Sequence, residues 1–523
     1  MKNYIKVLVL ATLIFSGCSE DFLEISNPNK LDSESFWKTE SDALTGLVGC
    51  YDALQSGNLY GGGPWTSGVN QIEGITDDAY WNWGHGFDEL ARGIAAPSNG
   101  NVAAFWAANY MGIRRANEVI ANVPTIEMNE VKKARFIAEA KFIRALLYLN
   151  LSMTFRDVPL ILEPQEVSDA NIVKSPKSEI TDLIISDLKS IISDLPNTIP
   201  AGERGRVSSG AALSLLARTY LYNNRYQEAA DASKRVIDEY NYGIHPSYRE
   251  LFSLAGEDSN EIILGVEFER GINEGQLISR HFALPPVHIA ALPDLVDAYY
   301  CIDGLPISES PLFLGDATAT PTLETIEYMF DKNRYMNRDP RMDVTLITSG
   351  STWSEEENHD THYIKAGVAF RKWSEEPIGG IALNYRDNAL NFQIIRFADV
   401  LLMWAESSVM TGAYSESEVY DVINQIRQRP DVMMPKIEDV EGAGLSPDQL
   451  LKVIKHERRI ELAYEMLRYY DLVRWEEREE VYKEVFVPNT NVRRWVEPSS
   501  NVWPIPQRDI DNNSLLEQHI EWK

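Results

Sequence analysis

The densest chemistry in the chain lies in one short stretch, Thr76-Asp77-Asp78-Ala79-Tyr80-Trp81-Asn82-Trp83-Gly84-His85. Aromatic planes offer flat apolar faces to a ligand, and Asp, Asn and His supply hydrogen-bond donors and acceptors beside them. Ligand sites combine apolar surface with a few placed polar groups, and this stretch holds both at close spacing. In extended backbone Trp81 and Trp83 face the same side. The rival reading is that these rings plug the loop onto its neighbours, and the sequence leaves both open. Trp65, in Gly61-Gly62-Gly63-Pro64-Trp65, is a further candidate. A second region holds Trp353, Tyr363 and Trp373, where core packing is the better reading for any single ring.

Catalytic patterns find little support. Glycoside hydrolysis needs two carboxyls set across a bond. Asp77-Asp78, Glu355-Glu356-Glu357 and Glu375-Glu376 are adjacent acids, expected by chance in a chain with 78 of them. There is no G-x-S-x-G elbow and no H-E-x-x-H. His359-Asp360-Thr361-His362 lacks further patterned metal ligands and reads as a solvated loop. No glycine loop has the context that a nucleotide or dinucleotide needs. The chain reads as a binding protein, not an enzyme, with no cofactor and no metal.

The N-terminus supplies an address. An apolar run from Val7 to Phe15 follows Lys2 and Lys6 and ends at Ser16-Gly17-Cys18. That is the order of a secretory signal, and it is shorter than the ~20 apolar residues of a spanning helix. Cysteine after the small pair resembles a bacterial lipobox, with Phe15 where Leu is usual. The resemblance implies cleavage after residue 17 and acylation of Cys18. Each buried lipid methylene adds ~0.8 kcal/mol, and stable anchoring takes about two chains. Ser19-Glu20-Asp21 places acids beside the anchor, as in Bacteroidota lipoproteins exported to the outer face of the outer membrane; a solvated linker is the plainer reading.

The formal charge is −29 over 523 residues. So acidic a chain argues against nucleic-acid binding, which wants basic grooves. Solubility at a crowded surface is the simpler account of the charge. Besides Cys18, only Cys50 and Cys301 remain, and sequence does not say whether they pair. The 12 tryptophans exceed what a core of this size needs.

Helices must position these residues. Ser446-Pro447-Asp448-Gln449 has a cap, a first-turn proline and a capping-box glutamine. Val453, Ile454, Ile460, Ala463, Tyr464 and Leu467 continue one face, which predicts an unbroken helix through to about 475. Ser175-Pro176 reads as N-cap and first helical residue. Ile180, Leu183, Ile184, Leu188 and Ile191 follow on one face. Other helices are expected near 40–56, 101–122, 130–153, 208–223, 226–239, 398–411 and 416–428. The spacing of Leu213, Leu216, Ala217, Tyr220 and Ala229 matches a tetratricopeptide hairpin. Glu261–Phe268 and Val344–Thr348 are the best strands, expected as small hairpin elements. Long Gly/Pro-rich connections at 57–100, 271–321 and 349–393 are the expected home of a binding site.

Several phrases, in order and spanning nearly the whole chain, together resemble the SusD/RagB-like outer-membrane lipoproteins. They open with Asp21-Phe22-Leu23-Glu24, Ser35-Phe36-Trp37-Lys38-Thr39 and Gly49-Cys50-Tyr51. Ala138-Glu139-Ala140-Lys141-Phe142-Ile143-Arg144-Ala145, Asp157-Val158-Pro159-Leu160 and Gly205-Arg206-Val207-Ser208 follow. Then come Arg396-Phe397-Ala398-Asp399-Val400-Leu401-Leu402, His456-Glu457-Arg458-Arg459-Ile460-Glu461-Leu462 and Arg468-Tyr469-Tyr470-Asp471-Leu472-Val473-Arg474-Trp475. Trp503-Pro504-Ile505-Pro506 stands near the end. The resemblance implies a mainly α fold, with tetratricopeptide-like hairpins packed against an irregular, loop-rich half that has a few short strands. It implies a signal peptide at 1–17, a linker at 18–30 and one domain at 31–523, divided near residue 255. The implied role is capture of an oligosaccharide, or in some members a peptide, for a SusC-like TonB-dependent transporter whose lid the protein forms. A surface hydrolase or a helical adaptor would be the alternatives. The family fixes no ligand residues by motif. Arg458, Arg468 and Arg474 are expected to pair with Glu461, Glu465 or neighbouring helices, as exposed pairs giving only ~0–1 kcal/mol each.

Overall fold

The computed structural model describes residues 36–523 except 64–65, 83–86, 167–168, 170, 272–274, 279–286, 321, 323–325, 352–366, 375–387 and 489–491. Cys18, Trp65, Trp83, His85, Trp353 and Tyr363 lie outside the described residues, as do His359 and His362.

Helix starts follow the side chains that can satisfy a free first turn. Helix α1 (Glu40–Leu54) opens on Thr39 with a reciprocal Asp42 capping box. Asn99 caps α2 (Gly100–Asn122), and Asn129 caps α3 (Glu130–Thr154). Helix α4 (Lys177–Ile191) starts one residue later than expected, with Pro176 as N-cap and Ser175 on a short strand. Ser208 caps α5 (Ser209–Tyr222), which turns into α6 (Tyr226–Glu239). Helix α7 (Phe397–Thr411) ends on left-handed Gly412, followed by α8 (Glu416–Arg427). Helix α9 (Pro447–Glu461) has the expected box: Gln449 N–H donates to Ser446 Oγ at 3.3 Å, and Ser446 N–H to Gln449 Oε1 at 2.9 Å. Loss of an exposed cap costs about 1 kcal/mol. Urea unfolding of Ser446→Ala should show a drop of that size and no change in slope.

Packing follows chain order from α1 to α6. Helix α7, from the C-terminal half, then lies against α6 and α9. Leu213, Leu216, Ala217, Tyr220 and Ala229 are all buried, on two helices that pack together. One cluster of buried apolar side chains runs from Ala43 to Leu516.

The predicted helix through to residue 475 is broken. After Glu461 the chain turns through left-handed Tyr464 and Met466, and α10 (Arg468–Arg474) begins anew. The freed carbonyls have side-chain partners. Tyr248 Oη donates to Glu461 O at 2.7 Å, Lys372 Nζ to Ala463 O at 2.7 Å and Trp373 Nε1 to Tyr464 O at 2.9 Å. Buried carbonyls need such partners, so distant side chains override the local periodicity.

Strands are short. Antiparallel β1 (Ala79–Trp81), β5 (Ile289–Ala291), β7 (Ala369–Phe370) and β6 (Leu346–Ile347) form one sheet in that spatial order. Val158–Pro159 (β2) pairs with Lys174–Ser175 (β3). Strand β4 (Ile262–Val266) pairs through a bulge with β8 (Phe392–Arg396). The predicted strands are therefore shortened, and neither closes a local hairpin. Residues 341–345 form a helical turn before β6. Cys50 and Cys301 are buried free thiols, and burial pushes the Cys50 thiol up to about 12.

Candidate ligand-binding site

The aromatic stretch after the 3₁₀ helix Val69–Ile75 is clamped by arginines. Asp77 receives Arg468 Nε at 2.9 Å and NH2 at 2.7 Å, with Arg459 NH2 3.1 Å from its carboxylate. Arg459 Nε donates to Asp78 Oδ1 at 2.7 Å. Burial alone would raise the Asp77 carboxyl, but Arg459 and Arg468 hold it well below the carboxylate range. Burial, with Asp77 alongside, leaves Asp78 raised. Arg493 NH2 donates to the carbonyls of Gly74, Thr76 and Ala79, at 2.9, 2.9 and 2.6 Å. These bonds fix the start of β1.

Strand β1 is buried on both faces. Tyr80 and Trp81 are each 1% exposed. Trp81 lies against Gly74, where an added Cβ would come 2.2 Å from its Nε1. Asn82 N–H donates to His288 O at 2.9 Å, and its amide to Val287 O at 3.2 Å. Trp373, also 1% exposed, stacks on Phe392 at 5.0 Å and meets Phe252 edge-on at 5.2 Å. So Tyr80, Trp81 and Trp373 present no open ring face here, Asp77 is held by Arg468 and Arg459, and Asp78 and Asn82 are each held through one side-chain atom, Oδ1 and Nδ2. In this structure these residues pack as a loop plug would, with the rings buried and Asp77 and Asp78 bonded to arginines.

What they hold is a set of loop ends. Leu277 N–H donates to Gly61 O at 3.2 Å, and Gln71 Nε2 to Gly63 O at 2.9 Å. Gln276 and Asn388 form a bridge, and Asn388 Nδ2 donates to Trp373 O at 3.0 Å. Through these bonds and those of Asn82, the described residues flanking 64–65, 83–86, 279–286 and 375–387 are tied together. Beside them lies a cavity of about 540 Å³. Phe252, Leu254, Val344 and Leu390 give it apolar walls, and Arg249 and Arg371, both paired with Asp343, add guanidinium groups. Lys372 also lines it, but its Nζ is bonded to Tyr248 Oη, Ala463 O and Glu465. Burial pushes Lys372 down to about 8. Apolar walls with hydrogen-bonding groups suit a sugar ring. Sequence reasoning missed Phe252, Leu390 and Arg371, which carry no motif and come from three separate segments.

Behind this wall the signature arginines are buried. Arg458 binds Asp399 at 2.5 Å and Asp471 at 2.7 Å, Arg474 binds Glu406 and Asp471, and Arg468 binds Asp77. The expected exposed pairs are therefore interior struts. Glu139 of α3 likewise joins Arg135, Arg206 and Tyr51. Among the described residues no three His, Cys, Asp or Glu side chains group so as to hold a metal, and no helix is long and apolar enough to cross a membrane.

Comparison with known proteins gives the architecture a family. The SusD family model matches residues 261–522. A second model, described as starch-binding associating with outer membrane, matches residues 21–221. A SusD-like protein of Formosa agariphila is 28% identical, over 99% of this chain and 99% of its own. A solved SusD-like carbohydrate binding protein from Bacteroides fragilis is 25% identical, covers 92% of this chain and 100% of its own, and superposes with a TM-score of 0.77. A solved laminarin-binding SusD-like protein is 24% identical, with coverage of 92% and 100% and a TM-score of 0.68. Matched in both halves by family models and from end to end by a curated relative, the chain belongs to the SusD family.

Proposed function

We propose that the protein is a non-catalytic receptor that captures oligosaccharide at the cell surface. In this reading acylated Cys18 tethers it to the outer membrane, facing outward. It delivers its ligand to a SusC-like TonB-dependent transporter and acts as that barrel's lid. The observation that carries the reading is the full-length likeness to a SusD-like carbohydrate binding protein. The cavity at the tied loop ends supports it, because apolar walls beside hydrogen-bonding groups fit sugar chemistry. Trp65, Trp83 and His85 belong to the stretches that those ends carry, and together with Trp353 and Tyr363 they remain our candidates for ligand contact.

A glycan array probed beside a set of oligopeptides tests this. Saturable binding of an oligosaccharide, with no product formed, is expected. Removing a stacked ring should weaken binding about tenfold or more, equal to some 1.4 kcal/mol, so Trp83→Ala should show that loss. Retention of peptides alone would move the protein to the peptide-binding members of its family. Sugar cleavage that a single Asp or Glu change abolishes would overturn the non-catalytic reading.

A further inference from the structure

We infer that the protein carries a second glycan site, for an uncharged sugar, in a cavity between the α5–α6 hairpin and strand β4. The inference rests on the glycan-binding reading above but uses none of the residues assigned there. The cavity has a volume of about 380 Å³, within the ~300–1,000 Å³ of small-molecule sites. Its walls are the 197–206 loop before α5, residues 240–242 after α6, and residues 257–265 leading into and along β4.

Two tyrosines form the aromatic wall. The rings of Tyr240 and Tyr242 lie 5.8 Å apart between centroids and within 12° of parallel. Residues i and i+2 of an extended segment share a side, and Tyr240 has extended backbone. Both rings are half-buried. Each hydroxyl is pinned to the start of α5: Tyr240 Oη donates to Ser209 Oγ at 3.1 Å, and Tyr242 Oη lies 3.1 Å from Ser208 Oγ. Gly210 permits this, since a Cβ there would sit 2.3 Å from Tyr242 Oη. Rings already fixed lose little freedom when a ligand binds, which favours affinity.

The polar groups fit hydroxyls and oppose anions. Asn241 and Asn260 line the cavity, and both are exposed. Amides both donate and accept, as sugar hydroxyls do. Arg204, which also lines the cavity, is shared by Glu267 at 2.6 Å, Asp258 at 3.0 Å and Glu257 at 3.3 Å. Arg206, also lining it, is taken by Glu139 and Glu203. One shared guanidinium against three carboxylates leaves this part of the wall negative. A sulfate or uronate group would meet like charge there, whereas a neutral hydroxyl finds acceptors.

The test uses the full-length protein in a non-glycosidic detergent. The probes are laminarihexaose, maltohexaose, xylohexaose and mannohexaose as neutral sugars, and an alginate hexamer as the anionic one. Hydrogen exchange is followed with and without each probe. At least one neutral hexasaccharide should protect the amides of 240–242 and 257–260. Tyr240→Ala and the exposed-site filler Asn260→Trp should each abolish that protection and weaken this site about tenfold or more. Trp83→Ala should leave it intact. Protection at 240–242 that survives Asn260→Trp would overturn the inference. So would no protection there by any neutral probe, or protection by alginate alone. If Trp83→Ala changes nothing while Asn260→Trp removes binding, this site stands and the loop assignment falls. If no probe binds anywhere, both fall.

Discussion

Glu461→Ala is expected to cost about 3–5 kcal/mol of stability, the penalty for breaking a buried ion pair from one side. Glu461 is fully buried and receives Arg341 and Arg396 at 3.1 Å and Arg429 at 2.8 Å. These three join a closed set of charges. Arg341, Arg396, Arg427, Arg429 and Lys372 face Asp339, Glu261, Glu457, Glu461 and Glu465. The signs balance, so alanine at 461 leaves one surplus positive charge out of reach of water. Urea unfolding should show the loss as an earlier midpoint, and Glu461→Gln should lose less because it can still accept. Acid gives a second readout. Burial alone would raise these carboxyls, but Arg429, Arg396 and Arg341 hold Glu461 down to about 2, and Arg458 and Arg218 hold Asp399 down to about 2. Their ordinary values are about 4.3 and 3.9. A depressed carboxyl stabilises the fold above its ordinary value, and that stability drains away as pH falls through the folded one. The native protein should therefore weaken between about pH 4.5 and 2, and Glu461→Ala should weaken less over the same interval. An unchanged midpoint with an unchanged acid slope would contradict the assignment.

The helices were legible because their signals are local. Caps at Thr39, Asn99, Asn129, Ser208 and Ser446 lie within three residues of the amides they satisfy. The break at 462–467 was not, because its cause is the side chains of Tyr248, Lys372 and Trp373, about a hundred residues or more away. Strand β1 escaped notice for a related reason. A strand of three residues buried on both faces has no alternation to read. The arginine phrases were visible as family signatures, yet their depth was not. Whether Arg458 is exposed or buried depends on Asp399 and Asp471 arriving from two other elements. The aromatic stretch shows the limit most clearly. Composition gave a ring-rich loop with acids, and that describes a sugar platform and a loop plug equally well. Only the burial of Tyr80 and Trp81 and the engagement of Asp77 by Arg468 separate the two for the described part.

Under the proposed function, that engagement makes Asp77 the residue through which the charged interior would act on ligand capture. Asp77→Ala is expected to lose about 3 kcal/mol of stability, since Arg468 and Arg459 are left facing one carboxylate instead of two. It is also expected to weaken glycan binding about tenfold or more, because the strand that leads into Trp83 loses its anchor. The two losses share a cause, which a paired variant exposes. Arg468→Met removes the orphaned charge, and apolar replacement of a buried pair is often neutral or stabilising. Asp77→Ala/Arg468→Met should thus be more stable than the two single costs predict, with a coupling of about 1–3 kcal/mol. Part of the glycan affinity should return with it. If Asp77 instead touched the sugar directly, Arg468→Met would restore stability and leave affinity where Asp77→Ala had put it. Isothermal titration of the four proteins, alongside their urea curves, tells a wall that positions a ligand loop from a residue that grips the ligand itself.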